Sequence, residues 1–551
     1  MSKFVRIKGK EIAAPFGGFD GFGEIDSTVG HYIRTNVRKF PNKEAIVDCP
    51  TGETKTFAKF YSESCKVANA LLDLGLGKGD HIAWNSGDRI WSAELYLGPA
   101  LAGISQTPIN YRFTADEIVR QINHSNPKVI IYQDEFAEVI NAARPKMPSV
   151  KHYIMITADK NKEAPEGSLN YWDWKEKASE NDPGERVGRI LPDDLFGIFY
   201  TAGTTGFPKG VMHSHRTYLS WSLNAILGWY RLSFDSRMMY LMPLFHWGGF
   251  VVFGVVLIGG TWLISPYAPE YPWKWAEKYK PDAFLLTSAM WTMSLGVPDW
   301  KNKYDVSSVK TIGAGAAPLP VTAYKAAVEA FPDCNFVDLY SSTESQFSYT
   351  SKKWKEILPQ NVGFAPWGKE LSIRDTADRS KECKPDEVGV VYARGPGQHC
   401  GYYNNDAENE KTFLPGCWQT SEDTGYIDSE TGTLVLFDRV KDVICSGAEN
   451  VSSVEVEGVL LQHPAVMECA VIGIPDSVLD QKIAAMVTLN PGMTAEAGEI
   501  EEFCKGKLAG FKRPRVITIL PELPHNAVGK VLKTDLREPF WKDYNSRITA
   551  Q

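Results

Sequence analysis

Leu195-Phe196-Gly197-Ile198-Phe199, followed at once by Tyr200-Thr201-Ala202-Gly203-Thr204-Thr205-Gly206-Phe207-Pro208-Lys209-Gly210, is the stretch on which the fold turns. The apolar run reads as a buried strand. The loop after it sets Thr201, Thr204, Thr205 and Lys209 among glycines, so free backbone N–H groups, hydroxyls and an ammonium can wrap phosphate oxygens together. It is not a Walker A loop, which needs GxxxxGK[ST]; Lys209 follows Gly206 by three positions and precedes Gly210. Taken alone, such a loop also fits a plain surface turn.

Working outward, strand-like runs alternate with amphipathic segments. Thr56 to Leu76 carries Phe57, Phe60, Tyr61, Val67, Ala68, Leu71 and Leu72 at helical spacing, and Gly75, Gly77 and Gly79 stop it before the strand His81-Ile82-Ala83-Trp84. A helix near Trp91 to Gly103 precedes a strand at Ile104 to Ile109, and a helix at Ala115 to His124 precedes Val129-Ile130-Ile131-Tyr132. Repeated alternation of this kind predicts an α/β fold of parallel sheets covered by helices. The polar run Ala158 to Asp194, with one helical patch around Tyr171 to Ala178, reads as a surface connection. After Lys441 the units shorten: a helix near Val454 to Gln462, strands at Ala470 to Ile474 and Ile483 to Leu489, and a helix near Glu499 to Leu508. The expected division is a large domain over 1–440 and a small α+β domain over 441–551.

Composition excludes several classes. Lys plus Arg is 59 against 67 Asp plus Glu, and the net charge of −8 argues against nucleic acid or an anionic membrane as the main partner. The nine cysteines are scattered without a CxxC pair or a Cys/His ligand spacing, so neither a disulfide framework nor a zinc site is expected. Met1 to Arg6 lacks the apolar core of a secretory signal, which points to the cytoplasm. The one membrane candidate is Gly248 to Ile264. Its glycine pairs Gly248-Gly249 and Gly259-Gly260 bracket only about nine apolar residues, too few to cross a bilayer as a helix. Phe250 to Ile258 therefore reads as a buried helix and Thr261-Trp262-Leu263-Ile264 as a short buried strand.

Seven further motifs stand in one order along the chain: Pro243-Leu244-Phe245-His246, Gly315-Ala316-Ala317-Pro318-Leu319, Tyr340-Ser341-Ser342-Thr343-Glu344, Ala393-Arg394-Gly395-Pro396 with Gly401-Tyr402-Tyr403-Asn404, Ser421-Glu422-Asp423, Arg439-Val440-Lys441-Asp442, and Pro524 to Lys530. With the loop at Tyr200 to Gly210 they resemble the adenylate-forming superfamily of acyl-CoA synthetases, firefly luciferase and peptide-synthetase adenylation domains. The resemblance runs from about residue 27 to 540 and is nearest to medium-chain and aryl acyl-CoA synthetases, through the run Ser446 to Glu455. Ala202 and Ser341 stand where the family usually has serine and glycine, and Ser421-Glu422-Asp423 where it has TGD.

The resemblance implies a large domain of helix-covered sheets with a small β-barrel-like part, then a mobile C-terminal domain. It implies ATP, Mg²⁺ and CoA as co-substrates and cofactor, a monocarboxylic acid as substrate, and no protein nucleophile. Thr201, Gly203, Thr204, Thr205, Gly206 and Lys209 would hold the phosphates; Gly315, Ala316, Ala317, Asp338, Tyr340, Ser341 and Thr343 would line the adenine and acyl side. Glu344 would hold Mg²⁺, Asp423 the ribose hydroxyls with help from Arg439, and Lys530 the reacting carboxylate and α-phosphate. Lys441 would be the hinge, Ser446 and Gly447 would face CoA, and His246 would gate the acyl tunnel. In the more distantly similar acetyl-CoA synthetases the position of Ser341 carries tryptophan; serine leaves that volume open for an acid larger than acetate. Trp247, Met290, Trp291, Ala314 and Tyr340 are candidates for the pocket wall. Transfer to a carrier protein instead of CoA uses the same ATP motifs and stays open, as does the oligomeric state, a homodimer included.

Overall fold

A computed structural model describes residues 4–7, 10–13, 27–201, 209–245, 248–315, 321–353, 360–439, 442–446, 449–476, 480–505, 507–525 and 531–549. The helix Phe57–Asp73 begins where Thr56 accepts the Lys59 N–H and ends before Gly75, whose φ of +81° suits a residue without a Cβ. Ala115–Ser125 is closed at its start by a reciprocal capping box between Thr114 and Glu117. Gly248–Leu257 is a ten-residue helix, about 15 Å long. Among the described residues no helix is long and apolar enough to cross a membrane.

Two large sheets share one core. The first has seven strands in the order Lys209–Ser214, Leu195–Thr201, Ser105–Pro108, His81–Asn85, Val129–Gln133, His152–Ile156, Leu169–Asn170, all parallel except the first pair. The second has eight: Gln346–Ser351, Asn335–Ser341, Thr311–Gly315, Ala283–Thr287, Arg237–Tyr240, Thr261–Ile264, Glu44–Asp48 and Thr54–Thr56. Its interior pairs are parallel and its two outer pairs antiparallel. Ile82, Trp84 and Ile131 of the first sheet and Met238, Leu285 and Leu339 of the second lie in one cluster with Phe60, Leu97, Trp221 and Phe250 from the helices. Helices covered on all sides explain why Gly248–Leu257 has no polar face.

A six-stranded antiparallel sheet follows, its ladder running from Asn361–Gly363 through Leu434–Arg439, Trp418–Ile427 and Gly389–Arg394 to Glu370–Arg374, with Phe413–Leu414 on Trp418–Ile427. A bridge between Tyr349 and Phe364 ties it to the eight-stranded sheet. The last sheet has five strands, built on the long antiparallel pair Val466–Asp476 and Asp480–Leu489. It packs its own core of Ile444, Val456, Leu460, Val471, Ile483, Val487 and Ile500.

The run Ala158 to Asp194 is more than a surface connection. Leu169–Asn170 adds an edge strand to the first sheet, and the helix Tyr171–Glu176 carries Lys175 into the core, where its ammonium lies 2.5 Å from Glu63 and 2.9 Å from Glu94. Glu94 also pairs with Lys55 and accepts from Tyr171 Oη at 2.7 Å. A charged residue in a polar run is buried here because two carboxylates far along the chain wait for it.

Candidate functional site

Strands from three sheets bring the motifs together. Thr201 and Lys209 are directly paired across an antiparallel hairpin, so the two ends of the glycine-rich loop lie side by side. Gly315 and Ser341 end neighbouring parallel strands of the eight-stranded sheet. Open α/β sheets place ligands beyond such C-terminal strand ends. From the antiparallel sheet come Asp423 and Arg439, paired in register with Arg439 Nε 3.2 Å from Asp423 Oδ1. Tyr340 Oη donates to Asp423 Oδ2 at 2.5 Å, which joins the two sheets. Burial and then the Asp423 carboxylate hold the Tyr340 phenol far above its ordinary range, so it remains a donor.

Glu344 stands on a loop gripped from behind. His213 Nε2 donates to the Thr343 carbonyl at 2.8 Å, the backbone N–H of His399 donates to the Glu344 carbonyl at 2.9 Å, and Lys369 Nζ donates to Ser345 Oγ. Burial pushes the His213 and His399 imidazoles down to about 3, so both are neutral at ordinary pH. The bond to Thr343 assigns the His213 proton to Nε2, leaving Nδ1 as acceptor for Thr217 Oγ1 at 3.1 Å. Lys369 is lowered to about 7, again by burial. Sequence reasoning missed all three. Their work is to hold one loop, through two backbone carbonyls and one hydroxyl, and a residue that supports a loop in this way has no spacing signature.

The Glu344 carboxylate accepts from Tyr402 Oη at 3.1 Å through Oε1. Lys209 pairs with Glu408 and lies over the Tyr402 ring, 5.2 Å from its centre. Lys209, Tyr402 and Glu344 thus form one contiguous group. Glu344 Oε2 has no partner among the described residues, and a single carboxylate oxygen beside a phosphate loop fits Mg²⁺ that takes its other ligands from phosphate and water. Asp338 is buried on the strand Asn335–Ser341 opposite Thr350, Thr343 is buried next to Glu344, and Ser446 closes the strand Ile444–Ser446 opposite Asp480. Gly203, Thr204, Thr205, Gly206, His246, Ala316, Ala317, Lys441, Gly447 and Lys530 lie outside the described residues, as does the domain boundary at 440/441.

Residues 33–403 match the AMP-binding enzyme family and residues 455–530 the AMP-binding enzyme C-terminal domain. The chain is 29% identical over 531 residues to the long-chain-fatty-acid–CoA ligase FadD13 of Mycobacterium tuberculosis, covering 93% of this chain and 98% of that one. It is 28% identical over 510 residues to the fatty acid–[acyl-carrier-protein] ligase ScoC of Streptomyces coeruleorubidus, covering 90% and 94%. The crystal structure of the anthranilate CoA ligase AuaEII with anthranoyl-AMP superimposes with a TM-score of 0.83 at 26% identity, covering 93% of this chain and 97% of that one. Matched over most of its length in sequence and fold, the chain belongs to the AMP-binding enzyme family, within the adenylate-forming superfamily its motifs resemble.

Proposed function

We propose that this chain is a cytoplasmic, AMP-forming acyl-CoA synthetase that acts on a monocarboxylic acid larger than acetate. A carboxylate is a poor electrophile because its oxygen leaves badly. In the first half-reaction a carboxylate oxygen attacks the α-phosphorus of ATP and pyrophosphate departs; in the second the thiol of CoA loses its proton, its sulfur attacks the acyl carbon, and AMP departs. In this reading Thr201 to Lys209 cradle the phosphates, Asp423 accepts from the ribose with Arg439 beside it, and Tyr340 braces Asp423. Glu344 is the ligand for Mg²⁺, which supplies charge neutralisation on the phosphates when bound. Lys530 stabilises the charge developing in adenylation. A pivot about Lys441 then withdraws Lys530 and presents Ser446 and Gly447 to the thiol.

The observation that carries the reading is that the segment Tyr340 to Glu344 links the Asp423–Arg439–Tyr340 group to the Glu344–Tyr402–Lys209 group, with residues drawn from three sheets in the family's motif order. The relative ScoC favours a second reading, in which the acceptor thiol belongs to a carrier protein; the mass of the thioester product separates the two. The test is a panel of acids with ATP, Mg²⁺ and CoA, followed by AMP and pyrophosphate release. Lys530→Ala is expected to slow acyl-AMP formation by about 10² or more and to spare thioester formation from supplied acyl-AMP. ADP and phosphate as products across the panel would overturn the adenylation reading.

A further inference from the structure

The face of the eight-stranded sheet that leads away from Ser341 can be followed residue by residue. Ile312, Ala314 and Phe336 belong to the core on one side of the sheet, and Val337 and Leu339 to the core on the other. Alternation along the strands therefore sets Gly313 and Gly315 beside Val337, Leu339 and Ser341 on the second side. Trp291 lies with Ala314 on the first side, and Tyr340 is bound to Asp423. Of the wall candidates read from the sequence, these three do not line the strip.

Tyr230 closes its far end. The residue follows a π-helical turn, Asn224–Trp229, a widening of the helix often met at functional sites. Its carbonyl accepts from Thr311 Oγ1 at 3.3 Å, at the start of the strand Thr311–Gly315. Its ring then runs back along the strip until the hydroxyl occupies the place of a side chain at Gly313: a Cβ there would stand 2.0 Å from Tyr230 Oη. Tyr230 is 0% exposed and its hydroxyl has no hydrogen-bond partner among the described residues. The neighbouring Gly313 carbonyl is already taken by Trp291 Nε1 at 2.9 Å. Ser341 Oγ, at the near end, is also unpartnered among the described residues. A hydroxyl can donate, so an unused buried one calls for an acceptor. A phenylalanine would fill the same space without leaving a polar atom unbonded, a state that is costly in a core.

Resting on the acid-activating reading above, we propose that Tyr230 is the far wall of the acyl pocket and that its hydroxyl donates to an oxygen at the distal end of the substrate, a medium-length oxo acid. Gly315 and Gly313 are two residues apart, roughly 7 Å of strand, which suits an acid of about five or six carbons.

The experiment compares kcat/KM for 5-oxohexanoate and hexanoate, by pyrophosphate release, in the wild type, Tyr230→Phe and Gly313→Ala. The wild type is expected to favour the oxo acid about tenfold, the scale of one good hydrogen bond. Tyr230→Phe should bring the ratio near one, because the oxo acid and hexanoate then meet the same apolar wall. Gly313→Ala, whose Cβ displaces the hydroxyl, should lose the same preference, with its thermal unfolding recorded to show that it is folded. A wild-type ratio of one or less, or a preference that survives in Tyr230→Phe, overturns the assignment. Turnover of hexanoate with a flat ratio discards Tyr230 alone; no pyrophosphate from any acid of a broad panel discards acid activation, and the assignment with it.

Discussion

Lys175 and Lys369 are both withdrawn from water, one with carboxylates and the other without. Lys175 is held between Glu63 and Glu94, with the Tyr171 and Trp172 rings 5.1 and 4.8 Å from its ammonium. Burial alone would lower its pKa, but the Glu94 and Glu63 carboxylates outweigh it and keep the pKa above its ordinary value. Lys369, 8% exposed, finds only Ser345 Oγ among the described residues, and burial takes it down to about 7. A buried ion is tolerated when it is paired; otherwise it gives up its charge near neutrality. The first arrangement fastens a connecting segment to the core. The second lies beneath the loop of Glu344, where the chain buries an unpaired lysine that bonds the Ser345 hydroxyl.

The largest effect should come from breaking the paired cluster. Glu94→Ala leaves Lys175, Lys55 and Tyr171 facing a gap in a site with no water access, and removing one partner of a buried ion pair typically costs about 3–5 kcal/mol. The unfolding midpoint should fall clearly while kcat/KM of the folded enzyme stays within about twofold, because none of these side chains touches Asp423 or Glu344. An unchanged midpoint would show that the charge cluster around Glu94 contributes nothing net to stability.

The same contrast explains what could be read in advance. Phe57–Asp73, Gly248–Leu257 and Thr261–Ile264 were legible because periodicity, caps and glycine stops are local features. Asp423 and Arg439 could be picked out because each sits in a motif, yet only the register of two strands makes them a pair. Lys175 was not legible: its burial is decided by Glu63 and Glu94, about a hundred residues earlier, and nothing in Trp174-Lys175-Glu176 announces them. Lys369, His213, His399 and Tyr230 share that property. Each acts on a segment brought to it by the fold, so the sequence around it reads as an ordinary turn, strand or helix end.

Lys369→Met tests the unpaired half. The folded pKa, about 7, lies below that of an unfolded lysine. Between those two values the unfolded chain binds a proton that the folded chain does not, so the lysine's contribution to stability rises with pH; below about 7 both forms are charged and the burial cost is felt in full. Wild-type stability minus that of Lys369→Met should therefore climb between pH 7 and 9, by about 1.4 kcal/mol per unit at most. Urea unfolding at several pH values gives that difference directly. A flat difference would mean that the ammonium keeps its charge through a counter-ion and that the contrast with Lys175 is one of geometry only.

The smallest effect sharpens the comparison most. Ser345→Ala removes the one described acceptor of Lys369 Nζ and one weaker bond from Ser345 Oγ to the Gln346 carbonyl at 3.3 Å. Above pH 8 the amine is neutral, and losing a neutral hydrogen bond costs about 0.5–1.5 kcal/mol. At pH 6 the same position holds an ammonium, for which a lost bond costs about 1.5–3 kcal/mol. The penalty of Ser345→Ala should accordingly be larger at pH 6 than at pH 8.5, and the dependence should vanish in the background of Lys369→Met. Because Ser345 adjoins Glu344, the variant should also raise the ATP KM more than it lowers kcat, as expected when a loop that binds in the ground state loosens. An equal penalty at both pH values would show that Lys369 keeps the same charge at pH 6 and at pH 8.5.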